Sequence, residues 1–136
     1  MKNLTTAIFG QMSGSAFGTA IGNRLFKGQS PPGTEYPYCT YQVVTDTPER
    51  TFSEDFENVI VQFSLFSIAS GTTEVEGMFT NLKTLYDEQS FSITGSTLIW
   101  MRRTTTVFNV EDHITPHGTQ RVWAYHCDFE IMTSLD

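Results

Sequence analysis

Three histidines, two cysteines and one Arg-Arg step are the groups in this 136-residue sequence whose types and spacing could do chemistry. His113 and His117 stand four apart, with Asp112 adjacent. On a helix that spacing presents two metal ligands on one face. Pro116 between them argues for a loop instead, and two loop histidines without a third or fourth ligand read as solvated turn residues. His126, Asp128 and Glu130 alternate along a strand-like segment. They could imitate a metal or acid–base cluster, yet alternating polar residues are also what a wet sheet face requires. Cys39 and Cys127 have neither CxxC spacing nor a Cys–His signature, and read as reduced, buried thiols acting as small hydrophobes. No GxSxG elbow occurs. The run Gly14-Ser15-Ala16-Phe17-Gly18-Thr19-Ala20-Ile21-Gly22 superficially resembles a phosphate loop, but it lacks the lysine of GxxxxGK[ST] and follows no strand. It reads as a flexible helix end. The expectation is a protein that is not an enzyme, with no catalytic residue, cofactor or metal site.

The elements that position these groups follow from periodicity. Leu4, Ile8, Met12 and Phe17 recur at near-helical spacing and predict a helix over residues 3–13, with a short second turn reaching Ile21. Gly28-Gln29-Ser30-Pro31-Pro32-Gly33 is a loop, and a strand follows over residues 36–45 with Cys39, Tyr41 and Val43 on one face. Residues 45–55 are polar and read as a long loop joining antiparallel strands. The segment 57–69 is a strand, with Val59, Val61, Phe63 and Leu65 on one face and Ile60, Phe66 and Ile68 on the other. At ~3.3 Å per residue it spans about 43 Å, as long as a globule of this size is wide, about 37 Å. Thr73-Glu74-Val75-Glu76 opens a helix with a capping-box pattern, and Val75, Met78, Phe79, Leu82, Leu85 and Tyr86 form its apolar stripe. A strand over 97–109 should carry Leu98, Trp100 and Phe108 on one side; residues 111–119 read as a turn region. The last strand, 120–132, points Trp123, Tyr125, Cys127, Phe129 and Ile131 one way and His126, Asp128 and Glu130 the other. The predicted order is α-β-β-α-β-β: an α+β fold with a mostly antiparallel four-stranded sheet of two hairpins and two helices packed on one face.

Length and composition predict one domain over residues 1–136 with a single hydrophobic core; 39% of residues are hydrophobic and only 17% charged. A low-charge, Thr- and Phe-rich surface suits a protein covered by copies or partners. The net charge of −7 and the scatter of the eight basic residues argue against a dedicated DNA-binding surface. An acidic wall past which DNA slides remains compatible. No apolar run suits a signal peptide or a membrane span, so the protein is expected in a cytoplasm.

One segment carries a recognisable pattern: Ile21-Gly22-Asn23-Arg24-Leu25-Phe26, the Pro31-Pro32-Gly33 loop, then Tyr36-Pro37-Tyr38-Cys39-Thr40-Tyr41. It resembles the tail-completion proteins of long-tailed phages, also called tail terminators or head-to-tail joining proteins. In that family a small-residue segment leads to an Arg-Ile/Leu-Tyr/Phe step, then a Pro/Gly loop and a PY-x-x-Y/F strand. The resemblance implies a virion protein, assembled in the host cytoplasm, that forms a homo-oligomeric ring, commonly a hexamer. Such a ring caps the tail tube, stops its growth and meets the head's connector, while DNA passes through without specific binding. On that reading Pro48, Glu49, Arg50 and Phe52 form either an arm reaching a neighbour or the tube, or a plain solvent loop. His126, Asp128 and Glu130 face either the central channel or an ordinary wet exterior. Arg102 and Arg103 are candidates to pair with an acidic patch of the next subunit. The alternatives are a tail-tube or connector-stopper subunit, and a monomeric ligand-binding or small enzymatic α+β domain with one deep pocket.

Overall fold

The computed structural model describes residues 2–115 and 118–135; Pro116 and His117, half of the expected histidine turn, lie outside the described residues. Along the chain come α1 (Lys2–Met12), α2 (Ala16–Ala20), β1 (Leu25–Lys27), β2 (Tyr38–Arg50), β3 (Asp55–Ser67), α3 (Thr73–Tyr86), β4 (Ser96–Thr115) and β5 (Gly118–Leu135). The α+β class is as expected, but the sheet has five strands in the order β1-β2-β3-β5-β4 and is mixed, because β1 runs parallel to β2. The three helices pack on one face.

The added strand explains the Ile21 to Tyr41 pattern. Leu25, Phe26 and Lys27 pair with Cys39, Thr40 and Tyr41, and Arg24 ties the two segments together. Its Nε donates to the Pro37 carbonyl at 3.0 Å and its Nη2 to the Tyr36 carbonyl at 3.3 Å. Gly22, at φ 59°, lies under that guanidinium, where a Cβ would come within 2.7 Å of Nη1. Leu25 buries in the core while Phe26 turns to the opposite face and meets Tyr38. The Tyr36–Pro37 peptide is cis.

Two expected loops are strand. Residues 45–50 extend β2, and a bulge at Val44 shifts its register against β3. The polar composition misleads because this part of β2 is an edge: beyond Tyr41 no described strand pairs with its outer side. Pro48 sits in the ladder opposite Glu57, as edge strands permit. The hairpin closes tightly, with Thr51 N donating to the Glu54 carbonyl at 2.9 Å. Likewise the expected turn at 111–119 is strand, and β4 and β5 stay paired from Glu111–Val122 to Thr115–Gly118. β3 stops at Ser67 opposite Trp123, so this end of the β4–β5 hairpin extends past β3 as a two-stranded arm. The β2–β3 tip projects from the opposite end of the sheet. At ~3.3 Å per residue β4 is about 66 Å long, well beyond the width of the globule.

β4 also departs from simple alternation. Bulges between Leu98 and Trp100 and between Arg103 and Thr105 flip its facing. Leu98 and Phe108 share the helix face, whereas Trp100 lies on the other, opposite Met132.

The core lies between the helices and the sheet face carrying Cys39, Tyr41, Val59, Val61, Phe63, Leu65, Met101, Cys127, Phe129 and Ile131. Tyr86 is its hub. The ring stacks on Phe63 at 4.9 Å and meets Phe17, Phe91 and Phe129 edge-on. Its hydroxyl donates to the Ile8 carbonyl of α1 at 2.6 Å. The expected capping box does not form: Thr72 is the N-cap of α3 without a side-chain cap bond, and Glu74 instead accepts from Ser67 Oγ at 2.7 Å.

Candidate assembly surface

The face of the sheet opposite the helices is covered by no described element, and strand alternation makes it polar. Its rows run straight across three or four strands. Thr40, Ser64, His126 and Val107 form one; Gln42, Gln62, Asp128 and Thr105 the next; Thr45, Ile60, Glu130 and Arg102 a third. The polar groups satisfy one another sideways. Ser64 Oγ lies 2.8 Å from His126 Nδ1, Gln62 Nε2 donates to Asp128 at 3.1 Å, and Asn58 Nδ2 donates to Glu130 at 3.2 Å. Arg102 stands 3.6 Å from Glu130 and lies over the Trp100 ring at 4.0 Å. These are cross-strand pairs of the kind that hold a wet sheet face together. His126, Asp128 and Glu130 thus share one face as their spacing predicts, but they do not converge on a common point.

At the upper end of this face Tyr36, Tyr38 and Phe66 form an aromatic patch. Burial beside Tyr38 raises the Tyr36 phenol above its ordinary range. His113 belongs to β4 and is no solvated turn residue. Its Nε2 is 2.9 Å from Glu111 and its Nδ1 shares a hydrogen bond with Tyr36 Oη. The other Glu111 oxygen lies 3.8 Å from His126 Nε2. Sequence reading missed Glu111 as the bridge between the two histidines. The signal was the i, i+2 spacing of Glu111 and His113, which puts both on one strand face.

The remaining candidates separate. Pro48, Glu49 and Arg50 lie in β2, with Arg50 Nε 3.9 Å from Asp55. Phe52 alone sits in the turn and is wholly exposed. Arg102 and Arg103, adjacent in sequence, point to opposite faces; Arg103 lies on the helix side, over Phe79 at 5.6 Å, and donates to Thr106 Oγ1 at 2.8 Å.

Little here resembles a reaction centre. Burial pushes the Cys39 thiol well up and the Cys127 thiol to about 11, so both stay protonated and unreactive near neutrality. Among the described residues no cluster of His, Cys, Asp and Glu could hold a metal ion. A shallow depression of about 570 Å³ is lined by Ile68, Ala69, Ser70, Thr119, Gln120, Arg121 and Trp123. Arg121 is its single charged group, where a catalytic pocket would gather several. What stands out instead is unmatched strand edge. The outer side of β4 pairs with no described strand, and Ile99, Val107, Phe108, Val110 and Ile114 on it are exposed.

Residues 6–126 match the family described as Tail completion protein gp17. No curated protein sequence matches the chain. Among solved structures, a chain of the "Virion of native gene transfer agent (GTA) particle" superposes with a TM-score of 0.68 at 10% identity, over 96% of this chain and 94% of that one. Identity at that level establishes a shared fold.

Proposed function

Because the chain belongs to the Tail completion protein gp17 family, and is thereby a structural protein of a phage tail, we propose that it closes the head-proximal end of the tail tube as a ring of identical copies. The ring stops tube growth and offers its other rim to the head's connector. Its place is the neck of the virion, after assembly in the host cytoplasm. The observation that carries this reading is the outer edge of β4 from Thr104 to Thr115, which no described strand covers and along which Val107, Phe108, Val110 and Ile114 are exposed. Such an edge invites pairing unless another chain covers it. A closed ring of heterologous contacts covers two different edges of every copy at once.

The polar face suits the channel wall. Asp128 and Glu130 place carboxylates on it, Arg102 is paired with Glu130, and the chain as a whole carries −7, so DNA meets a surface that holds its phosphates weakly. The β2–β3 tip, with Phe52, Glu49 and Arg50, projects from one rim and suits contact with the tube or connector. No described helix is long and apolar enough to cross a membrane.

Electron-microscopic averages of the purified protein, before and after mixing with growing tail tubes, test the proposal. Closed rings that bind one tube end and halt elongation are expected. A monomer at high concentration, or open filaments of the tube type, would overturn it.

A further inference from the structure

The helix layer stops short of the β4–β5 arm. Its last contact there is Phe79 of α3, whose ring stacks on Tyr125 at 4.7 Å. Phe108 continues the row, 5.0 Å from Tyr125 and 6.1 Å from Trp123, and is itself 42% exposed. Val110 (46% exposed) and Ile114 (91% exposed) follow on the same face of β4. The other face of the arm is different: Val122 and Ala124, which alternate onto it, are fully buried. The chain therefore covers its own apolar groups on one side of the arm and leaves an apolar strip bare on the other. A contiguous strip of this kind marks a contact surface.

The opposite flank of the sheet carries a matching feature. There α1 leaves Phe9 45% exposed, and with Lys2, Thr5, Thr6, Lys27 and Tyr41 it lines a depression of about 410 Å³. The ladders run from Lys27 through Tyr41, Phe63 and Cys127 to Thr106, so this depression stands level with Thr106, next to Phe108 on the helix face. Rotating one copy onto the next about an axis along the strands keeps the helix faces on one side. It also brings the β4 flank of one copy against α1 of the other. Charge agrees with that meeting. Lys2 and Lys27 are two of the three lysines, and neither forms an ion pair among the described residues. On the β4 flank Glu76, one turn before Phe79 on α3, is likewise outside any ion pair, and Asp112 sits in the strip between Val110 and Ile114. We infer, on the basis of the ring reading above, that α1 of one copy covers the strip of the next, packing Phe9 against Phe108 and Val110 while Lys2 and Lys27 approach Glu76 and Asp112.

Substitutions on the full chain test the joint. Phe9→Glu or Val110→Lys alone puts an unmatched charge into every joint, and the concentration for half-assembly should rise by at least about tenfold. Both side chains lie at the surface of the single copy, so melting of the dissociated subunit should barely move. Because each joint holds one residue from each copy, the double variant pairs the two new charges and should recover much of the loss. Phe9→Cys with Val110→Cys should give, on mild oxidation, a ladder of covalent multimers; the native Cys39 and Cys127 are buried and take no part. Wild-type rings with indifferent single variants and no cross-linked ladder would overturn this joint and leave the ring reading standing. Wild-type protein that never forms rings would overturn both.

Discussion

Replacing Tyr86 by Phe removes one oxygen from the centre of the molecule, and its consequence can be worked out closely. Tyr86 is fully buried at the end of α3, and its hydroxyl donates to the Ile8 carbonyl of α1 at 2.6 Å across 78 residues of chain. That carbonyl lies inside α1 (Lys2–Met12), so it keeps its helical partner when the phenol is lost. The variant therefore leaves no orphaned group and should lose about 1 kcal/mol, the net contribution of a single buried bond. For a chain of this size that is a fall in Tm of roughly 3–5 °C. Tyr86→Ala also deletes the ring that meets Phe17, Phe63, Phe91 and Phe129, and should cost roughly 3–5 kcal/mol. Urea unfolding followed by circular dichroism measures both. It must be done at one protein concentration, because ring formation adds its own stabilisation. If Tyr86→Phe equals wild type, the α1–α3 bond is not made. If it equals Tyr86→Ala, the hydroxyl rather than the aromatic packing organises the core, and the account of Tyr86 as a packing hub fails.

The alkaline limb of stability should be set by the buried thiols and by Tyr86, whose pKa burial raises. Burial above all lifts Cys127 from 9.0 to about 11, so its contribution is whole below pH 9 and disappears as pH climbs through 11, a loss of roughly 2–3 kcal/mol. Cys127→Ala should flatten that limb in urea titrations, and an unchanged slope would refute the assignment. Phe63→Asp and Phe129→Asp each place an unpaired carboxylate among fully buried side chains and should abolish folding; a soluble, cooperatively melting product of either would count against the core described above. His126→Ala removes a half-buried bond to Ser64 and should cost no more than about 1 kcal/mol while leaving rings intact. Loss of a bound metal together with assembly in that variant would instead assign His126 a metal role.

Much of this fold is legible wherever one residue type meets one period. The last strand shows its two faces without ambiguity, because Trp123 to Ile131 alternate strictly with His126, Asp128 and Glu130 and no bulge interrupts them. The stripe of α3 is equally plain. Legibility fails where the chain is strand for reasons outside its own period. Residues 45–50 look like a loop because they lie on an edge with solvent on several sides, so burial imposes no alternation on them, and over 111–114 the alternation is only between half-buried Glu111 and His113 and exposed Asp112 and Ile114. β1 is three residues long, and only its pairing with Cys39, Thr40 and Tyr41 makes it a strand. The facing of Trp100 is hidden by two bulges, each of which shifts the count by one. As for the surface, the His126, Asp128 and Glu130 stripe can be read from spacing. The Glu111 bridge to His126 depends on ladder register, which no local pattern records.

Register also decides which face of the sheet a closed ring turns inward. Each copy contributes the four long strands β2, β3, β5 and β4, and at about 4.8 Å per strand these span about 19 Å. Six copies, the number the family resemblance implies, give a circumference of about 115 Å and a radius of about 18 Å; a strand tilt near 40° widens that to about 24 Å. A helix layer about 10 Å inside the sheet would then have a radius of at most about 14 Å, which leaves about 15 Å of arc per copy, whereas each helix needs about 10–12 Å. Two helices must fit side by side. α1 lies over β1 and β2, where Thr5 meets Lys27 and Tyr41, and α3 packs over β3, β4 and β5. On the outside, about 10 Å beyond the sheet, the arc grows to about 36 Å per copy at the larger radius, and both helices fit. A ring whose sheets stand side by side around the axis must therefore carry its helices outward. Its inner wall then carries Gln62, Asp128, Asn58 and Glu130, whose side chains bond along the sheet rather than toward the axis, and the one cation beside them, Arg102, stands 3.6 Å from Glu130, which offsets its pull on a passing phosphate.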